Sequence, residues 1–171
     1  MITDTQNILL NYLRNIKATP AAKLLLKRTC QQFVLDYGWW YEPIKPPKQI
    51  VLGTPKQCLK NAVNLTLDDD SLIYCEGYAL FKSGGLPVIH AWVTDGHGNA
   101  IDNTWPEPGV AYAGVPFKSS FVNMTALKNR AVISLLDDYQ NEYPLRGDLG
   151  DQPNQWLEHQ GFGLKRVAES E

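Results

Sequence analysis

Residues 86–105 read Leu-Pro-Val-Ile-His-Ala-Trp-Val-Thr-Asp-Gly-His-Gly-Asn-Ala-Ile-Asp-Asn-Thr-Trp. Two apolar runs, Leu86 to Thr94 and Ala100 to Trp105, flank Asp95-Gly96-His97-Gly98, which has the composition of a tight turn. Both runs therefore read as strands folded back antiparallel on one another. His90 sits in the middle of the first, between Ile89 and Ala91, and a polar ring in an apolar strand must be hydrogen-bonded or functional. Folding at Gly96-His97 sets residue 90 opposite about residue 102 or 103, so Asp102 or Asn103 faces His90. Successive strand residues point to opposite faces, so only one of the two is its partner.

Working toward the N-terminus, Ser83-Gly84-Gly85 reads as a hairpin turn and Leu72 to Phe81 as another strand. A polar turn, Asp68-Asp69-Asp70-Ser71, separates that strand from a short helix. Thr54-Pro55 opens this helix as cap plus proline, and it runs to about Leu65. Cys58 then falls in its first turn, where unpaired N–H groups and the helix dipole favour a thiolate. A thiolate nucleophile needs a histidine to carry protons and a third group to orient it. Cys58, His90 and Asp102 occur in that order on a helix and two strands. Cys75 is the rival nucleophile, but it lies inside a strand with no helix start to lower its pKa.

The flanks complete an α+β reading. Ile8, Leu9, Tyr12, Leu13 and Ile16 form the stripe of an amphipathic helix over 3–16, with Thr3 or Thr5 as cap. Thr19-Pro20 opens a second helix that ends near Tyr37, stopped by Gly38, and Cys30 in it reads as a small core residue. The proline- and aromatic-rich 39–55 stretch reads as an extended connection across the core. Thr125 to Tyr139 reads as a helix with Leu127, Ala131, Leu135 and Leu136 on one side. After about Tyr143 comes a Gly-, Asp-, Gln- and Pro-rich tail, partly ordered at Trp156. The expected whole is a single domain over 1–171, with its core at 54–117. N-terminal helices and the cysteine-bearing helix pack on a small antiparallel β-sheet.

Composition narrows the function. A net charge of -2, with no basic stripe, leaves no electrostatic footprint for nucleic acid or an anionic membrane. No apolar run approaches the roughly 18 residues of a membrane span. Met1 to Gln6 lacks the basic start of a signal peptide. Three cysteines without a CxxC pair argue against a disulfide framework and a zinc knuckle, and for a reducing, cytoplasmic setting. No metal or other cofactor is expected. Zinc held by Cys58, Cys75, His90 and Asp102 is the competing use of these residues, without the usual paired spacing.

The helix-start cysteine, the His90-Ala91-Trp92 strand and the Asp102-Asn103-Thr104-Trp105 strand resemble the papain-like and transglutaminase-like superfamily. The resemblance covers about residues 54–117 and implies a Cys–His–Asp triad doing acyl transfer on amides. Cys58 maps to the nucleophile, His90 to the base and Asp102 to the orienting carboxylate. In transglutaminase-like chains the nucleophile often sits in a run like Cys75-Glu76-Gly77-Tyr78-Ala79, a departure from the Cys58 assignment. Oxyanion donors are the Cys58 N–H and the Gln57 side chain, with Asn61 either helping or holding a neighbouring loop. Glu76, Trp92 and Trp105 are further candidates for the site or its substrate groove. The implied substrate is a protein, a peptide or a small amide. A catalytically silent binding module of the same fold is the alternative.

Overall fold

The computed structural model describes residues 2–15, 26–82, 84–159 and 163–170. Five strands organise it: β1 (Trp39–Ile44), β2 (Ile73–Leu80), β3 (Val88–Thr94), β4 (Asn99–Ile101) and β5 (Ala111–Phe117). They pair in the order β1-β4-β3-β2-β5 and close into a barrel. The meander β2-β3-β4 is antiparallel as read from the sequence, and β5 is antiparallel to both β2 and β1. β1 runs parallel to β4, so the sheet is mixed and closed rather than small, antiparallel and open. The 39–55 stretch causes the difference. Its prolines forbid a helix, yet Trp39, Trp40 and Tyr41 are free to pair with Gly114, Ala113 and Tyr112, and the connection becomes the closing strand.

Alternation along the strands creates two cores. Tyr41, Cys75, Ala79, Trp92, Ala100 and Tyr112, drawn from all five strands, fill the barrel. Tyr74, Tyr78, Ala91, Val93, Val115 and Phe117 face outward into a larger core shared with the helices. Gly77 and Gly114 are cross-strand partners. A Cβ on Gly114 would strike the Trp92 indole, and one on Gly77 would strike the backbone of Ala113 and Gly114. Both positions must therefore stay bare for the barrel to hold its tryptophan.

α1 (Asp4–Asn15) is capped by Thr3, whose hydroxyl accepts the Gln6 N–H at 3.2 Å while Gln6 accepts the Thr3 N–H at 2.9 Å. It buries Leu9, Leu10 and Leu13; Ile8 faces solvent instead, and Ile16 lies outside the described residues. α2 (Cys30–Tyr37) is shorter than read. Thr29 caps it by accepting the Gln32 N–H at 3.0 Å, residues 26–29 are not helical, and 19–25 lie outside the described residues. α3 (Cys58–Asp68) begins later than Thr54, after Lys56 turns the chain with a φ of 64°. α4 (Ser119–Asn129) replaces the helix expected over 125–139: Arg130, at φ 53°, ends it in the left-handed region. Leu127 is consequently exposed, and Leu135 and Leu136 are buried from the loop that follows. Beyond Tyr143 the chain is not a loose tail. It forms 3-10 turns at Pro144–Arg146 and Asp148–Asp151, then α5 (Pro153–Trp156). Trp156 packs against Phe33, Tyr37 and Phe117 and is fully buried. No helix among the described residues is long and apolar enough to cross a membrane.

Candidate active site

Cys58 is the first residue of α3, and α3 packs against β3. Gln57, at the cap position, makes no side-chain cap bond, so the helix start keeps its backbone donors free. The half-buried thiol meets the His90 side chain and the backbone N–H groups of Ala91 and Leu59. Burial alone would raise the thiol pKa, but His90 and these donors outweigh it and hold the pKa below its ordinary value. Cys58 opens into a cleft of about 440 Å³, lined by Gln57, Leu59, Lys60, Ala131 and Val132.

His90 is buried, and its Nε2 lies 2.7 Å from Asp102 Oδ2, which leaves Nδ1 as the ring nitrogen for the thiol. Burial would lower the imidazole pKa, but the hydrogen bonds to Asp102 and Cys58 prevail and push it up to about 9. The indole of Trp105 stacks on the imidazole, 4.1 Å between centroids and 15° from parallel, and screens the His90–Asp102 bond from water. Asp102 is not directly opposite His90, as simple folding at the turn implies. The register sets Val93 against Ile101 and Thr94 against Ala100, which brings residue 102 level with Trp92. The carboxylate reaches His90 diagonally on the same face. β4 stops at Ile101 because Asp102 Oδ1 takes the Thr104 N–H at 2.8 Å, bending the chain into a turn.

The other expected site residues separate. The Asn103 side chain is spent elsewhere: its amide donates to Val51 O at 3.2 Å, and the Asn103 backbone carbonyl accepts the Gly53 N–H at 2.7 Å. Asn61 is a loop clamp rather than an oxyanion donor. It bonds the Thr54 N–H and carbonyl and the Thr104 hydroxyl, at 3.1, 2.8 and 3.0 Å. Gln57 remains exposed at the cleft. Glu76 lies on the outer face of β2 and bonds none of Cys58, His90 and Asp102. Its buried carboxylate accepts from Ser134, Tyr74 and the N–H groups of Leu135 and Leu136, tying down the loop after α4. Trp92 lines no groove, being enclosed in the barrel, whereas Trp105 borders the site. Cys75 is inside the barrel too, wholly buried, and burial pushes its thiol pKa far up. Among the described residues no three His, Cys, Asp or Glu side chains form a metal-holding group.

Two residues at the site went unread in the sequence. Tyr112, on β5, donates its hydroxyl to Asp102 Oδ2 at 2.9 Å, and Gly109 donates its N–H to the same hydroxyl at 2.8 Å. A tyrosine in an apolar strand looks like ordinary core, so composition carries no signal for it. A larger groove, about 870 Å³, runs behind residues 47–55 and borders neither Cys58 nor His90. No protein-family model, curated protein or solved structure matches this chain.

Proposed function

We propose that this chain is a thiol hydrolase or acyltransferase acting on amide or peptide bonds through a Cys58–His90–Asp102 triad, of the papain-like or transglutaminase-like kind. The observation that carries the reading is one line of contacts. A thiol at a helix start lies beside an imidazole that bonds a buried carboxylate at 2.7 Å. Asp102 holds the tautomer and stabilises the imidazolium, and the helix start and His90 stabilise the thiolate. The thiolate attacks the carbonyl carbon of an amide in the cleft, and the carbonyl oxygen takes the electron pair. The Cys58 N–H and the exposed Gln57 amide are the available oxyanion donors. Imidazolium gives its proton to the leaving amine as the C–N bond breaks, leaving a thioester. Water or a second amine then attacks the thioester, His90 takes the proton of that nucleophile, and the thiolate leaves. Free thiols at Cys30, Cys58 and Cys75 suit a reducing compartment, and the cytoplasm is the proposed location.

The test is the pH dependence of Cys58 alkylation by iodoacetamide, followed by mass spectrometry of the labelled peptide. The midpoint should lie below the ordinary thiol value of about 8.5 in the native chain and return to it in His90→Ala. A native midpoint equal to that of an unactivated thiol removes the reading. An activated amide or ester should also leave an acyl adduct on Cys58 that is lost in Cys58→Ser.

A further inference from the structure

We propose that Tyr112 is a positioning residue of this site, whose hydroxyl sets the carboxylate of Asp102 against His90; the proposal rests on the triad reading above. A carboxylate held by one histidine alone is free to turn about its Cβ–Cγ bond. Asp102 is held from three directions. The Thr104 N–H takes Oδ1 at 2.8 Å, while His90 Nε2 and the Tyr112 hydroxyl share Oδ2 at 2.7 and 2.9 Å. These donors come from the following turn, from β3 and from β5, so rotating the carboxylate breaks bonds to separate parts of the barrel.

The direction of the tyrosine bond is decided by its own environment. A phenol has one proton to give, and the Gly109 N–H already occupies an oxygen lone pair at 2.8 Å. The proton therefore points at Asp102. Gly109 reaches that place only as glycine: a Cβ there would meet the Leu80 carbonyl at 2.8 Å, the Trp105 ring at 2.9 Å and Tyr112 Cζ at 3.1 Å. The segment before β5 is thus pressed against the phenol by the same contacts that supply its N–H. Burial beside Asp102 raises the phenol pKa well above its ordinary value, which keeps it a donor at every working pH.

Packing does not require the hydroxyl. The Tyr112 ring is fully buried, 5.0 Å from Trp92 and 6.3 Å from Trp105, and phenylalanine fills the same space. What phenylalanine lacks is one of the three donors that hold a 1% exposed carboxylate in its orientation. Without it, Asp102 supports the imidazolium less well, and the thiolate that depends on the imidazolium becomes harder to form.

Tyr112→Phe should move the alkylation midpoint of Cys58 upward by about one pH unit, slowing labelling roughly tenfold below the midpoint. Asp102→Asn should move it further, and adding Tyr112→Phe to Asp102→Asn should change nothing more, because the hydroxyl acts through the carboxylate. A Tyr112→Phe protein with lowered thermal stability but the native midpoint, or additive shifts in the double variant, overturns the proposal and leaves the triad. A native midpoint at the ordinary thiol value overturns the triad reading and the proposal together. If Tyr112→Phe does not fold, 3-fluorotyrosine placed at 112 supplies a nearly isosteric, more acidic phenol. The His90 Nε2 proton resonance should then shift, as the stronger donor draws on the shared oxygen; an unmoved resonance overturns the proposal.

Discussion

His90 holds its proton more tightly in the folded chain than in the unfolded one. Against the burial that would lower it, the bonds to Asp102 and Cys58 raise its pKa to about 9, compared with an ordinary value of about 6.5. The stabilisation is therefore fully present below about pH 6.5 and is lost as pH rises through about 9. Urea unfolding at about pH 6 and about pH 9.5 should show the native chain losing some 2–3 kcal/mol, and Asp102→Asn, which keeps only the Cys58 contribution, losing clearly less. Equal losses in both proteins would mean that the buried pair does not form. At this scale His90 was legible because it is a polar residue in an apolar run. The choice of Asp102 over Asn103 came from the resemblance, not from the strand pattern. In the fold it turns on which side chain points inward at the end of a strand, and the Asn103 side chain bonds Val51 O instead.

Between elements, buried polar groups act as latches. Glu76, costly inside a strand unless paired, holds the Ser134–Leu136 segment through three donors and accepts a fourth bond from Tyr74 on its own strand. That segment follows Ala131 and Val132, which wall the Cys58 cleft. Glu76→Gln sets an amide among groups that are themselves donors, and should cost about 2–3 kcal/mol by chemical denaturation. The Cys58 alkylation midpoint should remain in place, because Glu76 bonds no member of the triad. A moved midpoint with unchanged stability would return Glu76 to the site. Helix ends were less legible than strands. Thr54-Pro55 carries the composition of a helix start, but the Asn61 bonds hold Thr54 in the loop, and α3 begins at Cys58. The later start puts the thiol closer to the free backbone donors than the sequence reading did.

Over the whole molecule, the C-terminal third is a packed layer. Trp156 is enclosed by Phe33, Tyr37 and Phe117, and its indole N–H donates to Leu149 O at 2.9 Å. Ser170 accepts the Trp40 indole N–H at 2.6 Å, which ties the end of the described chain to the closing strand β1. Trp156→Ala should destabilise by about 3–5 kcal/mol, measured as a lowered midpoint in guanidinium. A loss under about 1 kcal/mol would mean that this layer is peripheral to the fold. Low hydrophobic density hid the layer in the sequence. Its few large apolar residues are spaced irregularly through 3-10 turns, which have no periodicity to detect.

The sequence by itself determined the local units and singled out the candidate site residues. Turn residues marked the β2-β3-β4 meander, and mid-strand polarity marked His90. Such signals lie within a few residues of one another, so local pattern carries them. The tertiary structure decided everything that depends on distant partners. It paired β1 with β4 and β5 to close the barrel, and enclosed Cys75 while leaving Cys58 beside His90. It also brought Tyr112 to the carboxylate of Asp102. Closure and diagonal reach depend on register between strands far apart in the chain, and no local spacing records that.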